Sequence, residues 1–149
     1  MVNNILDIEV NIYTDGACRG NPGPGGWGVL IKHKNMHKEL NGGEAETTNN
    51  RMELIAVIKA LKYLNSNSKV IIYTDSQYVK NGITVWLINW KKNNWKNASN
   101  KLVKNKDLWE ELEKSCKNHE IEWQWVKAHS GIKENEKADI LARSAIPIK

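Results

Sequence analysis

The sequence predicts an α/β fold built on a five-stranded mixed sheet that is flanked by helices. Two observations lead to this prediction. Three strand-like segments joined by short polar turns come first in the chain, and helix-like and strand-like segments then alternate to its end. The first pattern favours an antiparallel meander, and the second favours parallel strands. A chain of 149 residues, 40% of them hydrophobic, can bury one core, so we expect a single domain over residues 1–149.

The strands of the meander are predicted at residues 8–14, 27–32 and 36–40. A fourth strand is predicted at residues 70–73, where four apolar or aromatic residues follow one another without alternation. That pattern is typical of a central strand covered on both faces. A fifth strand alternates over residues 121–126.

Three helices are predicted between and after these strands. The clearest spans residues 48–64, where leucine, isoleucine and valine recur at helical spacing and residues 47–50 offer capping side chains. Two more are predicted at residues 107–116 and 134–146. A right-handed crossover through the first helix would place the fourth strand beside the first.

The net charge of +5 is concentrated in one part of the chain. Between Asp75 and Asp107 there are seven lysines and no acidic residue, so the rest of the chain is slightly acidic. We call residues 80–106 the basic segment. A basic patch of this kind attracts polyanions.

The composition argues against several classes of protein. No apolar run approaches the ~20 residues of a membrane span, and residues 1–10 lack the basic start of a signal peptide. Cys18 and Cys116 lie far apart without metal-binding spacing, so we expect neither a disulfide framework nor a zinc site. These features predict a cytoplasmic protein that does not bind a membrane.

The tripeptide Tyr-Thr-Asp occurs twice, at residues 13–15 and 73–75, each time directly after an apolar strand. If those two strands are parallel neighbours, Asp15 and Asp75 emerge at the same edge of the sheet. A single aspartate after a strand is usually a turn or cap residue. The repetition favours a shared site.

Two more carboxylates are ambiguous from the residues alone. Glu53 has no lysine or arginine three or four residues away, and an ordinary exposed helical glutamate is the alternative. Asp139 could form a surface ion pair with Arg143. Crowded carboxylates repel unless a cation neutralises them, and an acidic cluster without cysteine suits Mg²⁺ or Mn²⁺. Two such ions ~4 Å apart can activate water and stabilise a leaving oxygen, so the pattern indicates phosphodiester hydrolysis.

The residues around these carboxylates resemble the ribonuclease H family from about residue 12 to residue 145. The blocks that carry the resemblance are YTDGACRGNPGPGG at 13–26, TTNNRMEL at 47–54, TDSQYV at 74–79, WKKNNWK at 90–96 and the segment from His129 to Asp139. The five blocks follow the family's order. The resemblance implies a ribonuclease H-like fold and an endonuclease that cuts the RNA strand of RNA–DNA hybrids, leaving 3′-hydroxyl and 5′-phosphate ends.

The resemblance also implies the catalytic residues. The ligands of two Mg²⁺ ions, which Mn²⁺ could replace, would be Asp15, Glu53, Asp75 and Asp139. His129, on a loop beside them, would shuttle a proton or help the product leave, although a lone loop histidine is more often a bystander. Glu136 would assist metal exchange or product release.

Contacts with both strands of the hybrid follow from the same resemblance. The loop whose backbone faces the RNA 2′-hydroxyls would contain Cys18, Gly20 and Asn21. The side chains that reach into the minor groove would be Asn49, Asn50 and Gln77. Thr48 and Asn105 would grip a DNA phosphate.

The basic segment resembles the family's protruding handle for the DNA strand. Its contact residues would be Trp86, Trp90, Lys91, Lys92, Trp95 and Lys96. The alternative is a solvated helix whose Trp86 and Trp90 pack against the body of the protein, and both descriptions can hold together.

Two positions depart from the family pattern. Ala128 stands where many members have glycine, and Glu46 stands where several have an arginine near the DNA phosphate.

Two other functions compete with that of a free-standing ribonuclease H. One alternative is the ribonuclease H part of a retroelement polymerase. The start at Met1, close to the first strand, favours a free-standing protein over this alternative. The other is a catalytically dead hybrid-binding module, but a pure binder gains nothing from clustered acids beside a phosphate backbone. We expect a monomer that removes RNA primers and R-loops.

Overall fold

A computed structural model describes residues 9–65, 67–128 and 131–148. Its strands are β1 (Glu9–Cys18), β2 (Gly23–His33), β3 (Met36–Thr47), β4 (Lys69–Thr74) and β5 (Glu120–Trp125). They form one sheet in the order β3-β2-β1-β4-β5. Strands β1, β2 and β3 pair antiparallel, whereas β4 pairs parallel to both β1 and β5. The predicted meander and five-stranded mixed sheet are confirmed.

The helices cover the sheet and extend from it. They are α1 (Asn49–Tyr63), α2 (Gln77–Asn81), a π-helical turn (Gly82–Trp86), α3 (Leu87–Lys92), α4 (Lys106–Cys116) and α5 (Lys133–Ser144). The three predicted helices are confirmed as α1, α4 and α5. The basic segment is helical over its first part, through the end of α2, the π-helical turn and α3. None of the helices in the described residues combines the length and the apolar character that a membrane crossing needs.

The hydrophobic core lies between one face of the sheet and α1. Alternate residues of β1, β2 and β4 point into it, as the period of two in a strand requires. Helix α1 is buried over the whole run of residues 52–58, because it packs on β1 and β2 and also contacts α4. Helix α5 packs on β2 and β1.

Four sequence predictions about the strands need correction. Strand β2 begins at Gly23 instead of residue 27. Strand β1 does not end at Thr14 but continues to Cys18, so Asp15 lies within it. Strand β3 extends to Thr47 instead of residue 40. Strand β4 is central, but only one of its faces is fully covered. Its residues alternate between buried and half-buried, because α5 lies mainly over β2 and β1 and not over β4.

Candidate active site

The two Tyr-Thr-Asp tripeptides lie side by side in the sheet. Tyr13 of β1 pairs in parallel register with Tyr73 of β4, and their rings stack with centroids 4.5 Å apart. Asp15 and Asp75 therefore follow at the same edge of the sheet. Because β4 ends at Thr74 while β1 continues with β2 as its partner, this edge opens beside Asp15.

Two glycines allow helices to approach this edge. A Cβ on Gly16 would lie 2.7 Å from the backbone nitrogen of Glu53, so the first turn of α1 can lie against β1 only because residue 16 has no side chain. A Cβ on Gly28, which pairs with Asp15, would lie 2.3 Å from the carbonyl oxygen of residue 138. Because residue 28 also has no side chain, α5 can approach the sheet here, and it carries Asp139 to the site.

Three carboxylates meet where these elements converge. Asp15, Glu53 and Asp75 each offer an oxygen, and these oxygens lie within 4.8 Å of one another. Burial, followed by repulsion from Asp75, raises the pKa of Asp15 to about 7, although the backbone N–H of Gly16 donates to Asp15 Oδ1 at 2.9 Å. Burial, followed by repulsion from Asp15 and Asp75, also holds the pKa of Glu53 well above its usual range.

The cluster has the properties of a divalent cation site. Glu53 is only 5% exposed, and its Oε1 is buried without a hydrogen-bond partner among the described residues. A buried, unpaired carboxylate oxygen beside two other carboxylates is unfavourable in the chain alone. A hard cation would both neutralise the charge and occupy that oxygen, so the donor set fits Mg²⁺ or Mn²⁺. Glu53 is therefore not the exposed helical glutamate of the alternative interpretation.

Asp139 lies at the side of this cluster. It lines a crevice together with Asp15, Asp75, Lys127, Ile132, Asn135 and Glu136. It also forms the ion pair with Arg143 that the sequence allowed, with 2.8 Å between the Asp139 and Arg143 side chains. Glu136 is exposed at the rim of the crevice. His129 lies outside the described residues.

Most of the residues assigned to the RNA 2′-hydroxyls and to the minor groove lie around the end of β1 and the start of α1. Cys18 closes β1, Gly20 and Asn21 form the turn to β2, and Asn49 and Asn50 open α1. The side-chain oxygen of Asn21 accepts a hydrogen bond from the backbone nitrogen of Asn49 at 3.1 Å, which ties the turn to the helix. Gln77, by contrast, lies at the exposed start of α2.

The two residues assigned to the DNA phosphate share a neighbour that the sequence did not reveal. Thr48 caps α1, and its Oγ1 accepts from the backbone nitrogen of Arg51 at 3.2 Å. Asn105, in the left-handed conformation at φ 63°, precedes α4, and its Oδ1 accepts from Arg51 Nη1 at 3.1 Å. Arg51 belongs to the 47–54 block, but no local pattern indicates that it contacts a residue 54 positions away.

The basic segment is attached to the body by tryptophan rings. The ring of Trp90 has its centroid 5.7 Å from Trp86, 6.2 Å from Trp95 and 5.5 Å from the fully buried Trp109 of α4. Trp86 in turn lies against Tyr78 of α2, with ring centroids 5.8 Å apart, so the packing of Trp86 and Trp90 against the body is confirmed. Contact with a DNA strand stays a prediction.

The lysines of the basic segment differ in their partners. Lys91 pairs with Glu113 of α4. Lys92 and Lys96 are exposed and have no acidic partner among the described residues. The positive charge offered to solvent by this segment is therefore carried more by these two side chains than by Lys91.

Two polar residues of the crevice were missed by sequence reasoning, although signals for both existed. Lys127 follows β5, which is parallel to β4 and so ends at the same edge as the aspartates. Asn135 lies one helical turn before Asp139, and its Oδ1 is buried without a hydrogen-bond partner in the described part of the chain. Strand direction and helical spacing would have indicated each of them.

Comparisons with known proteins agree with this geometry. The family model described as RNase H matches residues 7–147. The Ribonuclease H of Hydrogenovibrio crunogenus is 59% identical over 138 residues, which cover 93% of this chain and 95% of the relative. Among solved structures, LC9-RNase H1, a type 1 RNase H with the type 2 active-site motif, superposes with a TM-score of 0.84 at 35% identity, over 93% of this chain and 72% of that one. LC11-RNase H1 in complex with an RNA/DNA hybrid gives a TM-score of 0.67 at 26% identity, over 92% and 96% of the two chains.

Proposed function

This chain belongs to the ribonuclease H family, whose members are metal-dependent hydrolases of RNA in RNA–DNA hybrids, and from that premise we propose the details of its reaction. The protein cleaves within the RNA strand by a two-metal-ion mechanism and leaves 3′-hydroxyl and 5′-phosphate ends. The observation that carries the proposal is the cluster of Asp15, Glu53 and Asp75, whose oxygens lie within 4.8 Å of one another. Such a cluster is unfavourable until a cation joins it, and it lies at an open edge that a phosphate backbone can reach.

The proposed ligands of two Mg²⁺ ions, with Mn²⁺ as a substitute, are Asp15, Glu53, Asp75 and Asp139. Ions bound there would lower the pKa of a water and neutralise charge on the phosphate. The chain holds these ligands in different ways. Burial fixes Glu53, and the N–H of Gly16 holds Asp15, whereas Asp139 is held at the rim by Arg143.

Two further residues are proposed to act after the ligands are in place. His129 would pass a proton to the leaving oxygen, which suits an imidazole because its pKa lies near neutral pH. Glu136 would assist exchange of ions or product with solvent. Its exposed position at the rim of the crevice supports that role.

Recognition of the hybrid is proposed to use neighbouring surfaces for its two strands. The turn containing Cys18, Gly20 and Asn21 would face the RNA 2′-hydroxyls, while Asn49, Asn50 and Gln77 would reach the minor groove. The hydrogen bond between Asn21 and Asn49 supports a joint role for the turn and α1. Thr48 and Asn105 would hold a DNA phosphate, and the basic segment would hold the strand beyond it, through Trp86, Trp90, Lys91, Lys92, Trp95 and Lys96.

We place this activity in the cytoplasm, in a monomer whose single domain spans residues 1–149. RNA primers and R-loops are the hybrids that it would remove. Hybrid cleavage by such a small domain would depend on the basic segment for much of its affinity, since exposed lysines provide most of the salt-sensitive binding to nucleic acid.

The test is cleavage of a labelled RNA strand in a hybrid, compared with single-stranded RNA, duplex RNA and duplex DNA, in Mg²⁺ or EDTA. We expect cutting of the hybrid alone, and we expect both EDTA and Asp15→Asn to abolish it. The matched control is Glu120→Gln, an exposed carboxylate at the opposite end of the sheet. Tight hybrid binding without cutting in Mg²⁺ or Mn²⁺ would overturn the catalytic proposal and leave a binding module.

A further inference from the structure

Arg51 contacts both residues to which we assign the DNA phosphate. Its backbone nitrogen donates to Thr48 Oγ1 at 3.2 Å, and its Nη1 donates to Asn105 Oδ1 at 3.1 Å. The guanidinium is itself fixed, because Nη1 and Nη2 donate to the two carboxylate oxygens of Asp107 at 3.1 and 2.9 Å. A planar fork held in this way has little freedom to rotate.

These bonds determine which atoms Asn105 can offer to a ligand. Because a guanidinium can only donate, the amide oxygen of Asn105 must face Arg51, and the amide nitrogen must face away from it. One N–H of Asn105 Nδ2 is donated to the hydroxyl of Tyr78 at 3.1 Å. The other has no acceptor among residues 9–65, 67–128 and 131–148, so it remains to donate outward.

The same logic applies to Thr48. Its hydroxyl oxygen already accepts from the Arg51 backbone, which leaves the hydroxyl proton to donate. Both side chains are therefore arranged as donors. A phosphate oxygen is an acceptor only, so this polarity suits it.

We propose that the Arg51 side chain is a positioning group that fixes Asn105 as a hydrogen-bond donor toward a phosphate of the DNA strand, beside the Thr48 hydroxyl. The inference rests on the proposed function. Without the Arg51 side chain, the Asn105 amide can turn and present its oxygen, which repels a phosphate. The Thr48 contact comes from the backbone, so substitution of Arg51 tests the Asn105 contact alone.

The experiment measures binding of hybrids by fluorescence anisotropy in EDTA, with the unmodified DNA strand and with strands that each carry one methylphosphonate. For the natural chain we expect one position at which loss of the phosphate charge weakens binding about tenfold. Arg51→Met should bind the unmodified hybrid about tenfold more weakly and show no such position. Arg51→Lys should behave likewise, because a lysine keeps the charge beside Asp107 but lacks the fork that also reaches Asn105. In Mg²⁺, KM should rise with little change in kcat.

The control is Lys62→Met, which removes another ion pair between α1 and α4, Lys62 with Glu111 at 2.5 Å, without touching Asn105. This variant should keep the position-specific loss. A folded Arg51→Met protein that also keeps it would overturn the inference. So would a natural chain that cuts hybrids but shows no sensitive DNA phosphate. A natural chain that neither binds nor cuts hybrids would instead overturn the proposed function.

Discussion

The carboxylate crevice and the basic segment carry opposite charges, and they differ in how closely those charges are grouped and how far they are buried. In the crevice, β1, α1 and β4 bring three carboxylates together, and one of them is almost completely buried. In the basic segment, lysines spread along α3 and the following loop are mostly exposed, while the tryptophan rings are packed. One region thus concentrates charge in a partly buried crevice, and the other distributes it where water and salt screen it.

This difference in burial predicts how each region should respond to substitution. Each member of a buried cluster depends on the others, because loss of one changes the charge that the rest must share. Exposed charges contribute separately and by small amounts. We therefore expect all-or-none effects in the crevice and graded effects in the basic segment.

The largest effect is expected from Glu53→Gln, which keeps the shape of the side chain but removes its charge. Cleavage of the hybrid should fall about a thousandfold or more, because the cation loses its buried ligand. Single-turnover kinetics at saturating hybrid and Mg²⁺ provide the measurement, with Glu120→Gln as the matched exposed control. A Glu53→Gln rate within tenfold of the natural rate would show that the crevice also responds gradually, and the contrast between the regions would disappear.

An intermediate effect is expected in the pH dependence of stability without metal. The pKa of Asp15 is raised to about 7 by burial and then by Asp75, so the folded state holds a proton that the unfolded chain releases near pH 4. Stability is therefore lost as pH rises between about 4 and 7, by up to about 4 kcal/mol, and Mg²⁺ should restore it.

Urea unfolding at pH 5 and pH 8, with EDTA or Mg²⁺, measures this effect. Asp15→Asn should reduce the pH dependence in EDTA but leave a part that is due to Glu53, whose pKa burial also raises. Glu120→Gln should retain the full dependence. Stability in EDTA that does not fall over this range would mean that the crevice tolerates its charges as easily as the basic segment does.

The smallest effect is expected from single lysines, and it should differ between neighbours. Lys92→Gln should weaken hybrid binding two- to threefold, or about 0.5 kcal/mol, and lower the salt dependence by about one ion. Lys91→Gln should do less, because Lys91 already pairs with Glu113. Titrations of hybrid binding from low to high salt compare the two. Equal slopes for both variants would contradict the role given to the Glu113 pair.

Much of the fold was predictable because its signals are local. The apolar strands, the helical spacing of leucine, isoleucine and valine in α1, and the repeated Tyr-Thr-Asp tripeptide are local patterns, and the structure places these elements as expected. The end of β1 was not predictable in the same way. Strand β1 continues past Thr14 only because β2 pairs with it through Cys18, which is a contact between distant residues.

The candidate site likewise contains features that local sequence patterns predicted and features that they did not. Asp15 and Asp75 were expected together, and they are, whereas the burial of Glu53 was not evident from helical periodicity. Helix α1 is covered on several sides, so its apolar residues do not form a single stripe. Glu53 is the one polar residue in the run 52–58, and that is the signal that indicates its burial. No comparable signal joins Arg51 to Asn105, because their contact depends on the packing of α1 beside α4.

The tryptophan rings that join the basic segment to the body also give the protein a built-in optical reporter. The chain contains seven tryptophans and no phenylalanine. Two of them, Trp123 and Trp125, stack with ring centroids 5.3 Å apart and an interplanar angle of 7°. Rings this close exchange excitation energy, so the near-ultraviolet circular dichroism of the native protein should contain strong indole signals. Since Trp90 lies close to both Trp86 and the buried Trp109, we expect a nucleic acid bound to the basic segment to change the intrinsic fluorescence, with no dye attached.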